Sequence, residues 1–287
     1  MTLNLNNLTF IIVTFKSDHV IHECIESLPK ESNIIIIENS NDLKLKEKLE
    51  AKNSKIKVIV QENKGMGAAN NIGIKLCKTD YAFVINPDVK FYKNTIEELI
   101  TLSLKHNDYA ILAPISDDIR YPNFKIKNKK LQNNDLEFLS VDSVDGYAML
   151  INKNKFQDNF FFDENFFLYL ENDDLCLRIK KENNKIYISK KAKINHLGGK
   201  SHSPIYEKEI EFSRNWHWMW SKFYFKKKHY GYLKAFLTSF PILTNSAIKF
   251  FYYFITNNKF KEKIYIMRLL GLLNSMLGKK SWYRPQV

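Results

Sequence analysis

Between Lys64 and Phe91 the chain reads KGMGAANNIGIKLCKTDYAFVINPDVKF, which sets two glycines, a helix-forming stretch and an apolar run ahead of a single carboxylate, Asp88. Gly65 and Gly67 permit a sharp backbone turn, Ala68 to Cys77 carries helical character, and Tyr81 to Ile85 suits a buried strand. Asn86-Pro87-Asp88 then stops the strand. An aspartate at the C-terminal end of a strand in an α/β sheet stands where ligands bind, and its hard oxygens suit a divalent cation bridging phosphates. The same residue types also make plain turns. A second cluster lies in FFFDENFFLYLENDDLCLR, Phe160 to Arg178, where Glu171, Asp173 and Asp174 open a helical pattern. Acids in a first helical turn complement the helix dipole, and a carboxylate beside a hydroxyl can also take its proton. Arg178, one turn beyond Asp174, is placed to brace it by an ion pair. His196, in INHLGGKS, completes the set; a lone histidine is more often structural than functional, and His202 beside it dilutes the signal.

The elements that must position these groups are alternating strands and helices. Thr9 to Phe15 is an apolar, β-branched run, His19 to Leu28 is helix-like, and Ile34 to Ile37 repeats the strand pattern before Glu38-Asn39-Ser40. Val58 to Val60 reads as a third strand ahead of Glu62-Asn63, and Ile186 to Ser189 as a strand before His196. Strands alternating with a helix predict a right-handed βαβ unit and a parallel sheet. Glu38 at a strand end can accept a hydrogen bond from a base imide, selecting uracil or thymine, or it can be an ordinary solvated strand-end carboxylate.

Taken together, these motifs resemble family 2 glycosyltransferases of the GT-A fold, especially the branch containing rhamnosyl- and galactofuranosyltransferases. Phe10 to Phe15 resembles the opening strand, placing Thr14 and Phe15 among the donor-binding residues. Glu38-Asn39-Ser40 resembles the Asp-Asn-x-Ser base-binding turn, and Asn63 to Gly73 the N-x-G-x-x-x-x-N-N-x-G helix start, with Asn63, Gly65 and Asn70 on the donor. Asn86-Pro87-Asp88 resembles the DxD-equivalent. Asp145-Gly146-Tyr147-Ala148 resembles the small-residue strand beside the donor sugar, giving Gly146 a binding role. By the same resemblance His196 is a metal or phosphate ligand with Asp88, and Lys200 neutralises the leaving group. The implied fold is α/β and Rossmann-like, a mostly parallel sheet flanked by helices. The implied activity is inverting, metal-assisted transfer, with Mg or Mn, of a sugar such as rhamnose from a dTDP- or UDP-sugar to a cell-surface glycan or lipid-linked acceptor. Three departures stand out: Glu38 replaces an aspartate, Asn86 replaces the first acid of DxD, and Asn172 falls where the base often sits. The base then belongs to Glu171, Asp174 or Asp173, or the chain binds nucleotide sugar without turning it over.

The composition of 287 residues, 45% hydrophobic, supports one α/β core plus a helical appendage, divided as 1–204 and 205–287. Cys24, Cys77 and Cys176 lie apart with no CxxC spacing, which predicts a reducing compartment and no zinc site. The N-terminal apolar run has the pattern of a strand, which predicts no secretory signal and a cytoplasmic protein. Beyond Tyr206 fifteen Lys and Arg face four Asp and Glu, a net +11 of the formal +13. Those charges are interleaved with aromatics around RNWHWMWSKFYFKKK and KFFYYF, a composition suited to an anionic membrane surface, to contact between copies in a homo-oligomer, or to a packed helical subdomain. Leu233 to Ile255 is long enough to span a bilayer, but Lys234, Pro241, Asn245 and Lys249 interrupt it and predict an interfacial or packed helix. Nucleic-acid binding is disfavoured, because no recognition fold signature accompanies the basic charge.

Overall fold

A computed structural model describes residues 2–126, 137–198 and 201–287. The chain divides into two compact units, Met1–Asp163 with Asn172–Ser203, and Glu164–Glu171 with Pro204–Val287.

The first unit is α/β. Strands β1 (Leu8–Thr14), β2 (Asn33–Glu38) and β3 (Ile56–Val60) alternate with helices α1 (Asp18–Glu26) and α2 (Leu43–Lys52). Helix α3 (Met66–Leu76) leads into β4 (Tyr81–Ile85), followed by β5 (Val89–Phe91), α4 (Thr95–Lys105) and β6 (Tyr109–Ser116). Short strands β7 (Phe124–Lys125), β8 (Phe138–Ser140) and β9 (Ser143–Val144) precede β10 (Ala148–Asn152), α5 (Glu171–Lys181) and β11 (Lys185–His196). The main sheet runs β3-β2-β1-β4-β10-β6-β11-β5, with β8 on β11, while β7 pairs with β9 in a small second sheet. The β3-β2-β1-β4 half is parallel, as the βαβ pattern predicts. Strand β10 enters antiparallel between β4 and β6. Every residue of β1, β4 and β10 is buried, because helices cover both faces; this is why these strands read as continuous apolar runs rather than alternating ones. Helix α3 lies so close to the sheet that a Cβ on Gly73 would fall 2.4 Å from Ile11 Cγ2.

The second unit consists of α6 (Glu207–Tyr230), α7 (Tyr232–Ile255) and α8 (Lys259–Met276), joined by the segment 164–171. Gly271 allows α8 to approach the Trp216 carbonyl of α6, which a Cβ there would reach at 2.1 Å. The chain beyond α8 is pinned back on α6: Trp220 Nε1 donates to the Lys279 carbonyl at 3.0 Å, and Trp216 stacks on Tyr283. Fully buried His217 donates from Nε2 to the Tyr283 carbonyl at 2.8 Å, so its Nδ1 accepts from the Ser281 hydroxyl at 2.9 Å. Phe167, stacked on His217, and Leu168, whose carbonyl accepts from Ser221 at 2.8 Å, tie in the 164–171 segment. No helix among the described residues is long and apolar enough to cross a membrane.

Burial holds His217 neutral by pushing its pKa down from 6.5 to about 3. Between those values the unfolded chain binds a proton that the folded one does not, so stability falls as pH drops from about 6.5 to about 3, with a slope approaching ~1.4 kcal/mol per pH unit. Acid titration followed by the fluorescence of Trp216 and Trp220 should show this slope, and His217→Gln should flatten it while lowering Tm at neutral pH.

Candidate active site

Three strand ends meet at one edge of the first unit. Thr14, Glu38 and Val60 are in register, and the turn after β2 is locked to its neighbours: Asn39 N donates to the Thr14 carbonyl at 2.9 Å, and the Gln61 amide donates to Asn39 Oδ1 at 2.8 Å. Glu38 is fully buried and turns back on its own loop, where its carboxylate accepts from Ser40 N at 3.0 Å, from the Ser40 hydroxyl and from Asp42 N at 2.7 Å. The Glu38 side chain thus shapes the turn that it opens. Thr14 presents a buried hydroxyl with no hydrogen-bond partner, and Phe15 N donates to Ser17 Oγ at 3.0 Å.

The glycine-rich helix start has a local cause at each position. Asn63 Oδ1 accepts from Gly65 N at 3.0 Å, and Gly65 sits at φ +98°, in the left-handed region that a side chain disfavours. This turn starts α3 two residues before the predicted Ala68. Asn71 exchanges two hydrogen bonds with the Phe162 backbone, at 2.8 and 3.0 Å, and so anchors the segment before the acidic cluster to α3. Asn70 Oδ1 is buried without a partner.

Asp88 lies between β4 and β5, buried to 2% exposure, and neither carboxylate oxygen has a hydrogen-bond partner. His196 ends β11, which pairs antiparallel with β5 so that His196 stands opposite Val89. Its Nε2 lies 3.5 Å from Asp88 Oδ1, and Leu197 N donates to the Asp88 carbonyl at 3.2 Å. An orphaned, buried carboxylate beside an imidazole nitrogen is a donor set that fits a divalent cation. Among the described residues no group of three or more His, Cys, Asp or Glu side chains could hold an ion. Asn86 N donates to the Tyr147 carbonyl at 3.0 Å, holding the turn against the start of β10.

The Tyr147 ring stacks on His196 with centroids 3.8 Å apart, and burial pushes its phenol pKa up. Beside it, burial raises the Asp145 carboxyl, which also feels Lys125, Asp173 and His196; His196 and the start of α5 therefore share one electrostatic neighbourhood. Gly146 belongs there for a steric reason, since a Cβ would lie 3.3 Å from Asn172 Cβ. Asn172, at the position of the resembled base, donates to the Val144 carbonyl at 2.8 Å. Asp173 takes both hydrogen bonds from Lys125 Nζ, at 2.8 and 3.0 Å. Asp174 is fully buried and paired with Arg178 Nε at 3.0 Å, while Arg178 also donates to the Phe160 and Phe161 carbonyls. This geometry gives Asp174 a bracing role, because a base must reach its substrate. Glu171 opens α5 and groups with the second unit, where it bears on the Tyr169 phenol, pushed up to about 12 chiefly by burial. Lys200 lies outside the described residues. The sequence reading assigned no role to Tyr147, Asn71 or Lys125. Asn71 was visible inside the motif, whereas Lys125 lies in a segment with no periodicity to place it.

The sequence model of glycosyl transferase family 2 matches residues 9–176. The chain is 24% identical over 197 residues to the low-salt glycan biosynthesis hexosyltransferase Agl10 of Haloferax volcanii, a match covering 62% of this chain and 63%, less than two thirds, of that protein. Among solved structures, GalNAc-T7 with UDP, GalNAc and Mn2+ superposes at TM-score 0.56 and 17% identity, over 66% of this chain and 43% of that one. S. aureus TarS 1-349 superposes at 0.51 and 17% identity, over 97% and 93%. At these identities the structural likeness concerns the fold, a GT-A-type α/β sheet flanked by helices.

The raised Asp145 carboxyl means that the folded protein binds this proton more tightly than the unfolded chain does. Its charge therefore costs stability once pH rises above the ordinary aspartate value of about 3.9. Asp145→Asn should raise Tm at neutral pH, and the gain should shrink toward pH ~4; a thermal melt series across pH checks both.

Proposed function

We propose that this chain, which belongs to glycosyl transferase family 2, is an inverting glycosyltransferase that moves a hexose or deoxyhexose, with rhamnose the first candidate, from a dTDP- or UDP-sugar to a cell-surface glycan or lipid-linked acceptor. The observation that carries this reading is the buried carboxylate of Asp88, whose oxygens accept no hydrogen bond, beside His196 at the C-terminal end of the strands, where ligands bind in such sheets.

The nucleotide base packs against the Glu38-Asn39-Ser40 turn, with Thr14 and Phe15 at its side. Asn63, Gly65 and Asn70 line the approach of the donor to α3, and Gly146 gives the sugar room beside Tyr147. Asp88 and His196 would hold Mg or Mn; a cation there would supply charge stabilisation to the departing diphosphate. The solved GalNAc-T7 complex with UDP and Mn2+ supports this chemistry in the same fold. The acidic start of α5 supplies the base: Glu171 or Asp173 accepts the proton of the acceptor hydroxyl as its oxygen attacks the anomeric carbon from the face opposite the diphosphate, which inverts the configuration. Asp174 holds the cluster in place through Arg178. The basic composition of the C-terminal region supports a peripheral position on the cytoplasmic face of the membrane, alone or as a homo-oligomer. Asn86 and Asn172 favour one second reading, a protein that keeps donor binding and has lost transfer.

A thermal-shift panel of dTDP-, UDP-, GDP- and CMP-sugars with and without manganese tests the donor site, since a ligand of the native state raises Tm. The expected result is a manganese-dependent shift with the dTDP or UDP class. With the donor so identified, Glu171→Gln or Asp173→Asn should keep the shift and lose about 10²- to 10⁴-fold in kcat. Wild-type turnover in both variants would overturn the base assignment, and a shift without turnover in the parent chain would establish the second reading.

A further inference from the structure

Helix α7 is built inside out for a helix that faces water. The side it turns inward carries the small residues Ala235, Ser239 and Ser246, all buried. Its outward stripe carries Leu233, Leu237, Phe240, Ile248, Phe251 and Ile255, each between 50% and 80% exposed. Their spacing of i, i+4, i+7, i+15, i+18 and i+22 puts them on a single face. Scattered apolar residues on a surface are ordinary, whereas a stripe of leucine, isoleucine and phenylalanine along one helix, broken here by Thr244, marks an interaction surface.

Charge identifies the occupant. The helix contains no acidic residue, and Lys234 and Lys249 flank the stripe. Lys226-Lys227-Lys228 end the preceding helix, and Lys259, Lys261 and Lys263 open the following one. A large apolar face rimmed by lysine at both ends matches the boundary between anionic headgroups and acyl chains, where such a helix lies in the plane of the membrane. The 24 residues of α7 have the length to span, but polar interruptions such as Lys234, Asn245 and Lys249 oppose it, and no described helix is long and apolar enough to cross a membrane.

We propose that the outward face of α7 docks on an anionic lipid bilayer, lying along its surface. This deepens the peripheral position proposed above by naming the surface responsible. The test is flotation of the full chain with vesicles of phosphatidylcholine alone and of phosphatidylcholine mixed with phosphatidylglycerol, at low and high salt, alongside Leu237→Glu/Phe251→Glu. Binding to the mixed vesicles should be at least roughly tenfold tighter than to neutral ones, should weaken with salt, and should fall by a similar factor in the double variant. Because both substituted side chains are exposed, the variant should keep the parent Tm and the parent thermal shift with nucleotide sugar; that control separates failure of docking from failure of the donor site. Absence of vesicle binding, or equal binding by the double variant, would overturn the proposal. So would self-association of the parent chain that the variant abolishes, which would assign the face to a second copy.

Discussion

A charged carboxylate removed from water costs several kcal/mol unless a counter-charge or hydrogen-bond donors replace its hydration. Burial is the condition of Asp88: it is 2% exposed, neither oxygen accepts a hydrogen bond, and His196 Nε2 lies 3.5 Å from Oδ1. The surrounding sheet creates the condition. Parallel β1 and β4 bring the chain to the ligand-binding edge, Asn86-Pro87 turns it, and β5 then pairs antiparallel with β11, so that His196 reaches Asp88 across more than a hundred residues of sequence. A divalent cation held by Asp88 and His196 would supply the partner that the buried carboxylate oxygens lack.

The remainder of the site is positioned by contacts that tolerate little change. Gly65 supplies a backbone angle that starts α3 beneath the strand ends, and Gly73 lets that helix approach Ile11 at a distance no side chain permits. Asn71 carries the effect onward by clamping the Phe162 backbone, and Arg178 grips Phe160 and Phe161 from the other side while pairing with Asp174. The acidic start of α5 is thereby tied to the same helix that shapes the donor side. Tyr147, stacked on His196, and Asp145, within the field of both His196 and Asp173, link the end of β11 to the start of α5.

Much of this was legible because the strands around Asp88 are buried on both faces, and burial on both faces leaves an unmistakable apolar run. Tyr81 to Ile85 occupies the residues that such a run marks. The less legible parts have physical reasons. Ile186 to Ser189 reads as a short strand, yet β11 continues to His196 through the charged SKKAK stretch; a register irregularity between Ser189 and Lys193 carries the polar residues past the edge of the core. That continuation is the part that pairs with β5, so the meeting of His196 and Asp88 depends on a strand segment without an apolar signature. Glu38 was legible as a strand-end carboxylate, but its orientation was not, because the competition between a distant base and the nearby amides of Ser40 and Asp42 is settled only by the turn's geometry. The grouping of 164–171 with the helical unit rests on aromatic contacts to α6 that no local pattern announces.

The central claim, that Asp88 and His196 form a cation site completed by a nucleotide diphosphate, is tested most directly by electron paramagnetic resonance of Mn2+. Free manganese would be titrated against the wild-type chain, Asp88→Asn and His196→Ala, each with and without UDP. The account predicts loss of the free-ion signal on the wild type that is strengthened by UDP, is abolished by Asp88→Asn and is weakened by His196→Ala, with all three proteins retaining the same circular dichroism. Equal manganese uptake by the wild type and Asp88→Asn, or uptake by neither in the presence of UDP, would contradict it.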